Sequence, residues 1–155
     1  MDHYYFAAAR ALHVLAVVLW IGGVGFVTTV LIPSIRKTQS AENRLDLFEL
    51  LEGKFGFQAK LTTLITGISG FYMLHIMNAW ATMQWWIHLM IFVWVIFTLV
   101  LFVLEPLFLH KWFHQQAEKN SQKSFYYLQV MHTVLLSISL IAVFAGVGGI
   151  HGLFY

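Results

Sequence analysis

The chain has 155 residues, of which 59% are hydrophobic, 17% aromatic and only 10% charged. A soluble domain usually carries about 25% charged residues, so this composition places the protein in the membrane class. The chain has no cysteine, which excludes disulfides, thiolate zinc sites and iron–sulfur clusters. The formal net charge of +2 is too small, and too strictly partitioned along the chain, to indicate a nucleic-acid partner.

Four long apolar stretches predict four membrane-spanning helices at about residues 5–33, 61–80, 86–109 and 128–149. The hydrocarbon core of a bilayer is about 30 Å thick, and a helix needs roughly 20 residues to cross it. Tryptophans near the predicted ends suit the membrane interface; they are Trp80, Trp85, Trp86 and Trp112. We therefore expect an all-α, four-transmembrane-helix bundle that forms a single integral membrane domain over residues 1–155.

The basic residues predict the orientation of this bundle. Eight of the nine Lys and Arg residues lie around the loops that join spans one to two and three to four; they are Arg36, Lys37, Arg44, Lys54, Lys60, Lys111, Lys119 and Lys123. Cytoplasmic loops carry the excess of Lys and Arg, so both loops should be cytoplasmic and both termini outside. The expected location is a bacterial inner (cytoplasmic) membrane.

The first cytoplasmic loop contains an amphipathic pattern. Leu45, Phe48, Leu51 and Phe55 are spaced like one face of a helix over residues 41–55, and Ser40 is a candidate N-cap. This pattern predicts an interfacial helix that lies along the inner membrane surface. The second cytoplasmic loop, residues 115–124, is predicted to be short and polar.

Histidines near the outer ends of the spans are the main candidate functional residues. His13, His75 and His88 come from three predicted helices and lie at one depth. A single histidine at an interface is more often a hydrogen-bonding residue, but three at one level favour a shared cofactor site in the bundle. Arg10 and His13 are three residues apart and share a helix face. This pair suits haem b, with His13 as axial ligand, His88 or His75 opposite, and Arg10 on a propionate.

Copper is the alternative cofactor at the same end. His13, His75 and His88, together with the thioethers of Met73 and Met77, would suit a soft cation such as Cu(I). Met73 and Met77 are four residues apart and share a helix face. The competing interpretation is that these methionines fill the core.

A further candidate site lies at the inner end. His132 with His110 could hold a second haem or relay protons, and Glu105 lies inside span three directly before Pro106. An intramembrane carboxylate is a functional candidate, although Glu105 could instead pair with Lys111 or His132. Pro106 is expected to kink or end its helix.

The first predicted helix resembles that of the CopD-type and HemJ-type four-helix membrane proteins over residues 10–13 (Arg-Ala-Leu-His) and 19–23 (Leu-Trp-Ile-Gly-Gly). The resemblance extends to residues 86–89 (Trp-Ile-His-Leu). HemJ-type proteins are protoporphyrinogen oxidases that bind haem b, and CopD-type proteins are linked to copper uptake or resistance. His13 matches the first-helix histidine of both. Residues 26–33 lack the Tyr-Leu-Pro-Arg-like segment of the HemJ type, and Pro33 is closer to the CopD type.

Three functions follow as expectations. The first is a haem b membrane protein, a small cytochrome that carries electrons or, as an oxidoreductase, oxidises a membrane-bound reductant. The second is a copper-binding or copper-import protein. The third is a cofactor-free accessory subunit of a membrane complex. Besides the lipid bilayer, the expected partners are a redox protein or a second copy of the chain.

Overall fold

The computed structural model describes residues 2–154, except for the side chains of residues 2, 41, 42, 108–110, 114 and 118. The described chain is helical and contains no strand, which confirms the all-α class. Five α-helices and two π-helical segments follow one another: α1 (Asp2–Phe26), the first π-helical segment (Val27–Leu31), α2 (Ile32–Thr38), α3 (Ala41–Ile76), α4 (Trp85–Leu99), the second π-helical segment (Val100–Leu109) and α5 (His110–Ile150).

Among the described residues, three helical stretches are long and apolar enough to cross a membrane: His3–Thr38, Trp85–Leu107 and Lys119–Ile150. They correspond to predicted spans one, three and four. Large apolar side chains on these stretches remain exposed, among them Val18, Phe92 and Phe144. Apolar surface of this extent on helices suits contact with lipid. The protein is therefore a membrane protein by the length and composition of its helices.

Neighbouring helices run in opposite directions and pack through small residues. Along α1 and α3, His13 meets Ser69, while a methyl group at Gly23 would clash with Phe55. Along α4 and α5, Met90 lies against Gly146 and Trp86 against Gly149. Inside a membrane the hydrophobic effect does not drive helices together. Small residues stabilise the contact instead, because they let helix backbones approach closely. We call the two ends of this antiparallel arrangement the His13 end and the Glu105 end.

The predicted interfacial helix over residues 41–55 is wrong as a separate element. α3 runs without a break from Ala41 to Ile76, and Ser40 occupies its N-cap position with an extended backbone but no capping side-chain hydrogen bond. Phe48 is only 1% exposed, and its ring contacts Phe125 at a centroid distance of 5.6 Å. The apolar face of residues 41–55 packs against other side chains of the protein instead of lipid, and the segment continues the axis of α3.

The predicted loop over residues 115–124 is also helical, as part of α5. The backbone leaves helical geometry at Asn120, with φ −154° and ψ 86°. The Oδ1 atom of Asn120 accepts the backbone N–H of Lys123 at 2.9 Å, the bond that an N-cap residue makes to the third residue of a helix. Asn120 thus caps the second part of α5, and the chain reverses through a kink.

Pro106 does not end its helix, which excludes one of the two predicted alternatives, a kink or an end. It lies with Glu105 inside the second π-helical segment, Val100–Leu109. A π-helix bonds residue i to residue i+5. This wider winding carries the chain past the proline, which has no N–H to donate. π-Helical turns inside α-helices are frequent at functional sites, and Glu105 is one of the candidate site residues.

Candidate functional site

His13 lies at the interface of α1 and α3, where it is half-buried. Its Nδ1 atom is 3.0 Å from the carbonyl oxygen of Thr66 and 3.1 Å from the hydroxyl of Ser69. That hydroxyl already donates to the carbonyl oxygen of Ile65 at 2.6 Å, so both oxygens near Nδ1 act as acceptors. These acceptors assign the ring proton to Nδ1 and leave the Nε2 lone pair available. Metal-binding histidines have the same arrangement.

The structure does not bring the three histidines His13, His75 and His88 together as one group of metal ligands. The side chains of His75, His88 and Arg10 are exposed, and Nδ1 of His88 lies 3.1 Å from the carbonyl oxygen of Gln84 in the preceding turn. Met77 is exposed and Met73 partly so. Within the described part of the chain, no three His, Cys, Asp or Glu side chains are placed to hold a metal ion.

The Glu105 end contains a cavity of about 430 Å³, called below the main cavity. Its wall is largely apolar and aromatic, with Trp20 from α1, Phe48 and Phe55 from α3, and Phe97 from α4. A side cavity of about 230 Å³ adjoins it. The two share four lining residues: Glu49, Glu52, Gly56 and Glu105. Carboxylates therefore separate an apolar chamber from a smaller polar one.

Glu105 forms an ion pair across this boundary. Its Oε2 atom is 2.7 Å from Nζ of Lys60, and about a third of each side chain is exposed (33% and 32%). The prediction that Glu105 pairs with Lys111 or His132 was wrong. α3 packs alongside the second π-helical segment and places Lys60 next to Glu105, whereas Lys111 lies beyond that segment in α5.

Glu52 lies in α3 between Glu49 and Gly56 and lines both cavities. The charges of Glu49, Glu105 and Lys60 all act on its carboxyl group. Like charges disfavour an ionised carboxylate, and a cation favours it. Glu52 therefore belongs to the same charged cluster as the ion pair of Glu105 and Lys60.

His132 and Glu105, two of the predicted inner-site residues, both line the main cavity. Nδ1 of His132 is 3.0 Å from the carbonyl oxygen of Leu128, which leaves Nε2 available. The third predicted residue, His110, lies outside the described side chains. The structure thus brings two of the three inner candidates to one chamber.

Two residues that line the main cavity each have a buried polar atom without a hydrogen-bond or ion-pair partner among the described residues. One atom is Nε1 of Trp20, whose side chain is only 3% exposed, and the other is Oε1 of Glu49. A buried polar group without a partner costs on the order of 1–3 kcal/mol. The wall of the cavity therefore contains one unsatisfied donor and one unsatisfied acceptor.

Sequence reasoning missed Glu49, Glu52 and Lys60, although a signal was present. Together with Gly56 they recur at spacings of three and four residues, which places them on one helix face. Assigning residues 41–55 to a separate surface helix divided this face between two elements. Reading residues 41–76 as one helix would have revealed a polar stripe.

No family model, curated protein or solved structure matches this chain. The similarity to CopD-type and HemJ-type proteins stays an expectation that depends on residues 10–23 and 86–89.

Proposed function

We propose that the protein crosses the bacterial inner membrane four times, with α3 as the second span and both termini outside. α3 lies antiparallel to α1, and it exposes apolar side chains such as Leu64 and Ile68 where a lipid-facing helix would. The basic residues gather at the Glu105 end, which the positive-inside rule assigns to the cytoplasm.

The absence of cysteine allows a clean test of this topology. Single cysteines replacing the exposed residues Ala81 and Lys119 would report the two sides of the membrane. In intact spheroplasts, a membrane-impermeant maleimide should label Ala81→Cys and should label Lys119→Cys only after lysis. Labelling of Lys119→Cys in intact spheroplasts would contradict the proposed orientation.

At the outer, His13 end the proposed function is haem b binding, in a small cytochrome that passes electrons or oxidises a membrane-bound reductant. The supporting observation is the His13 ring, whose Nδ1 faces the Thr66 carbonyl oxygen at 3.0 Å and whose Nε2 is left to bind iron. Arg10, one turn away and exposed, suits a propionate. His75 and His88 are exposed, so neither is assigned as the second axial ligand. Haem b would supply one-electron chemistry.

Copper is the second candidate at this end, because the same imidazole nitrogen binds Cu(I) and Met73 lies in α3 near Ser69 and Gly70, which His13 contacts. The positive charge of Arg10 opposes a bare cation close to His13, whereas it assists an anionic propionate. This difference in charge places haem first.

The absorption spectrum and the metal content of one purified sample distinguish these functions. Protein from haem-supplemented membranes should show a Soret band and about one iron per chain, as expected for one haem held by one axial histidine. Stoichiometric copper without a Soret band would overturn the haem proposal in favour of copper binding. Neither cofactor, together with a co-purifying protein, would overturn both in favour of an accessory subunit.

A further inference from the structure

The main cavity has the size and walls of a small-molecule site. Its volume of about 430 Å³ falls within the range of roughly 300–1,000 Å³ that is usual for ligand pockets. Aromatic rings of Trp20, Phe48, Phe55 and Phe97 line it. Aromatic faces attract cations as well as apolar groups.

The charges around the cavity are unbalanced toward negative. Among the described residues, Glu49 and Glu52 from α3 and Glu105 from the second π-helical segment line it, and Lys60 in the adjoining side cavity is the one Lys or Arg side chain that lines either cavity. Lys60 pairs with Glu105, so two carboxyl groups exceed the cations. The remaining titratable side chains on the wall are His132 and Tyr127 from α5, and α1 contributes the neutral Trp20.

The orphan atoms give an independent reason to expect an occupant. Oε1 of Glu49 and Nε1 of Trp20 are buried without partners in the described part of the chain. A cation in the cavity near Glu49 would offset the charge of that carboxylate. An anionic or purely apolar occupant would leave the carboxylate uncompensated, which is costly away from water.

We infer that the main cavity binds a hydrophobic organic cation, with its charge toward Glu49 and Glu52 and its apolar body among the aromatic rings. The carboxylates of this site lie at the opposite end of the bundle from His13, so the inference does not depend on the proposed haem.

Two ions of the same shape and opposite charge test the inference: tetraphenylphosphonium and tetraphenylborate. Binding to the full-length protein in nanodiscs would be measured by equilibrium dialysis, with empty nanodiscs subtracted. The phosphonium should bind, and the borate should show no binding above the empty nanodiscs. Equal binding of both ions, or no binding of the phosphonium, would overturn the inference without any mutation.

Charge-removing variants then locate the site. Glu49→Gln/Glu52→Gln should weaken phosphonium binding by at least about tenfold, the effect of roughly 1.4 kcal/mol, whereas Asp46→Asn, an exposed carboxylate on the same helix, should not. Unchanged affinity in the double variant would refute the site. His13→Ala should bind normally, which separates this result from the haem proposal.

Discussion

Replacing Lys60 by methionine is expected to destabilise the protein by about 2 kcal/mol, because Glu105 would lose the cation that lies 2.7 Å away. Breaking a fully buried ion pair costs roughly 3–5 kcal/mol, since one charge is left uncompensated. Here about a third of each side chain is exposed, so solvent screening lowers the effect. Glu49 and Glu52, which share the same boundary, add repulsion that Lys60 no longer offsets.

Thermal unfolding in detergent, followed by far-ultraviolet circular dichroism, would measure this change. Lys54→Met, an exposed lysine on the same helix, is the matched control and should unfold like the wild type. Lys60→Met/Glu105→Leu should recover most of the loss, because position 105 then carries no unpaired charge and the repulsion between Glu105 and its neighbours Glu49 and Glu52 is gone. A Lys60→Met protein as stable as Lys54→Met would show that the ion pair has no structural role.

Gly67→Ala is expected to destabilise the protein by about 2 kcal/mol, within the usual range for overpacking a tight contact. A methyl group at Gly67 would lie 2.5 Å from the indole ring of Trp94. That ring is held in place, because Nε1 donates to the Thr63 carbonyl oxygen at 2.9 Å and the ring packs edge-on against Phe71 at 5.3 Å. The contact between α3 and α4 must therefore open.

Gly22→Ala is the matched control for this substitution. Gly22 lies in α1 with open space around the position of an added methyl group. Alanine is favoured over glycine in a helix by up to about 1 kcal/mol, so this variant should be as stable as the wild type or more so. If Gly67→Ala melted at or above the temperature of Gly22→Ala, the close packing of α3 on Trp94 would be contradicted.

The sequence predicted the helices well because apolar runs and helical periodicity are local signals. Spans one, three and four correspond to helical stretches that are apolar enough to cross a membrane. Whether two neighbouring helical segments form one continuous helix is harder to predict, because it depends on packing partners elsewhere in the chain. The sequence pattern predicted that Phe48 contacts lipid. In the fold its ring packs against Phe125, which lies more than 70 positions later in the chain.

The sequence predicted the depth of the candidate site residues in the membrane, but it did not predict the direction in which each side chain points. Counting residues from the span ends placed His13, His75 and His88 near one end, whereas the face that each ring occupies depends on how its helix packs. His13 therefore turned out to contact Thr66, while His75 and His88 are exposed. The partner of Glu105 was missed for a related reason: π-helical winding changes which face residue 105 presents.

The proposal that His13 holds haem b is tested most directly by a reduced-minus-oxidised absorption difference spectrum. Wild-type protein should be compared with His13→Ala and with His151→Ala, which replaces an exposed histidine near the C-terminal end of α5. Equal haem b bands in the wild type and His151→Ala, with loss of the bands in a folded His13→Ala protein, are the predicted result. Full haem content in His13→Ala would contradict it.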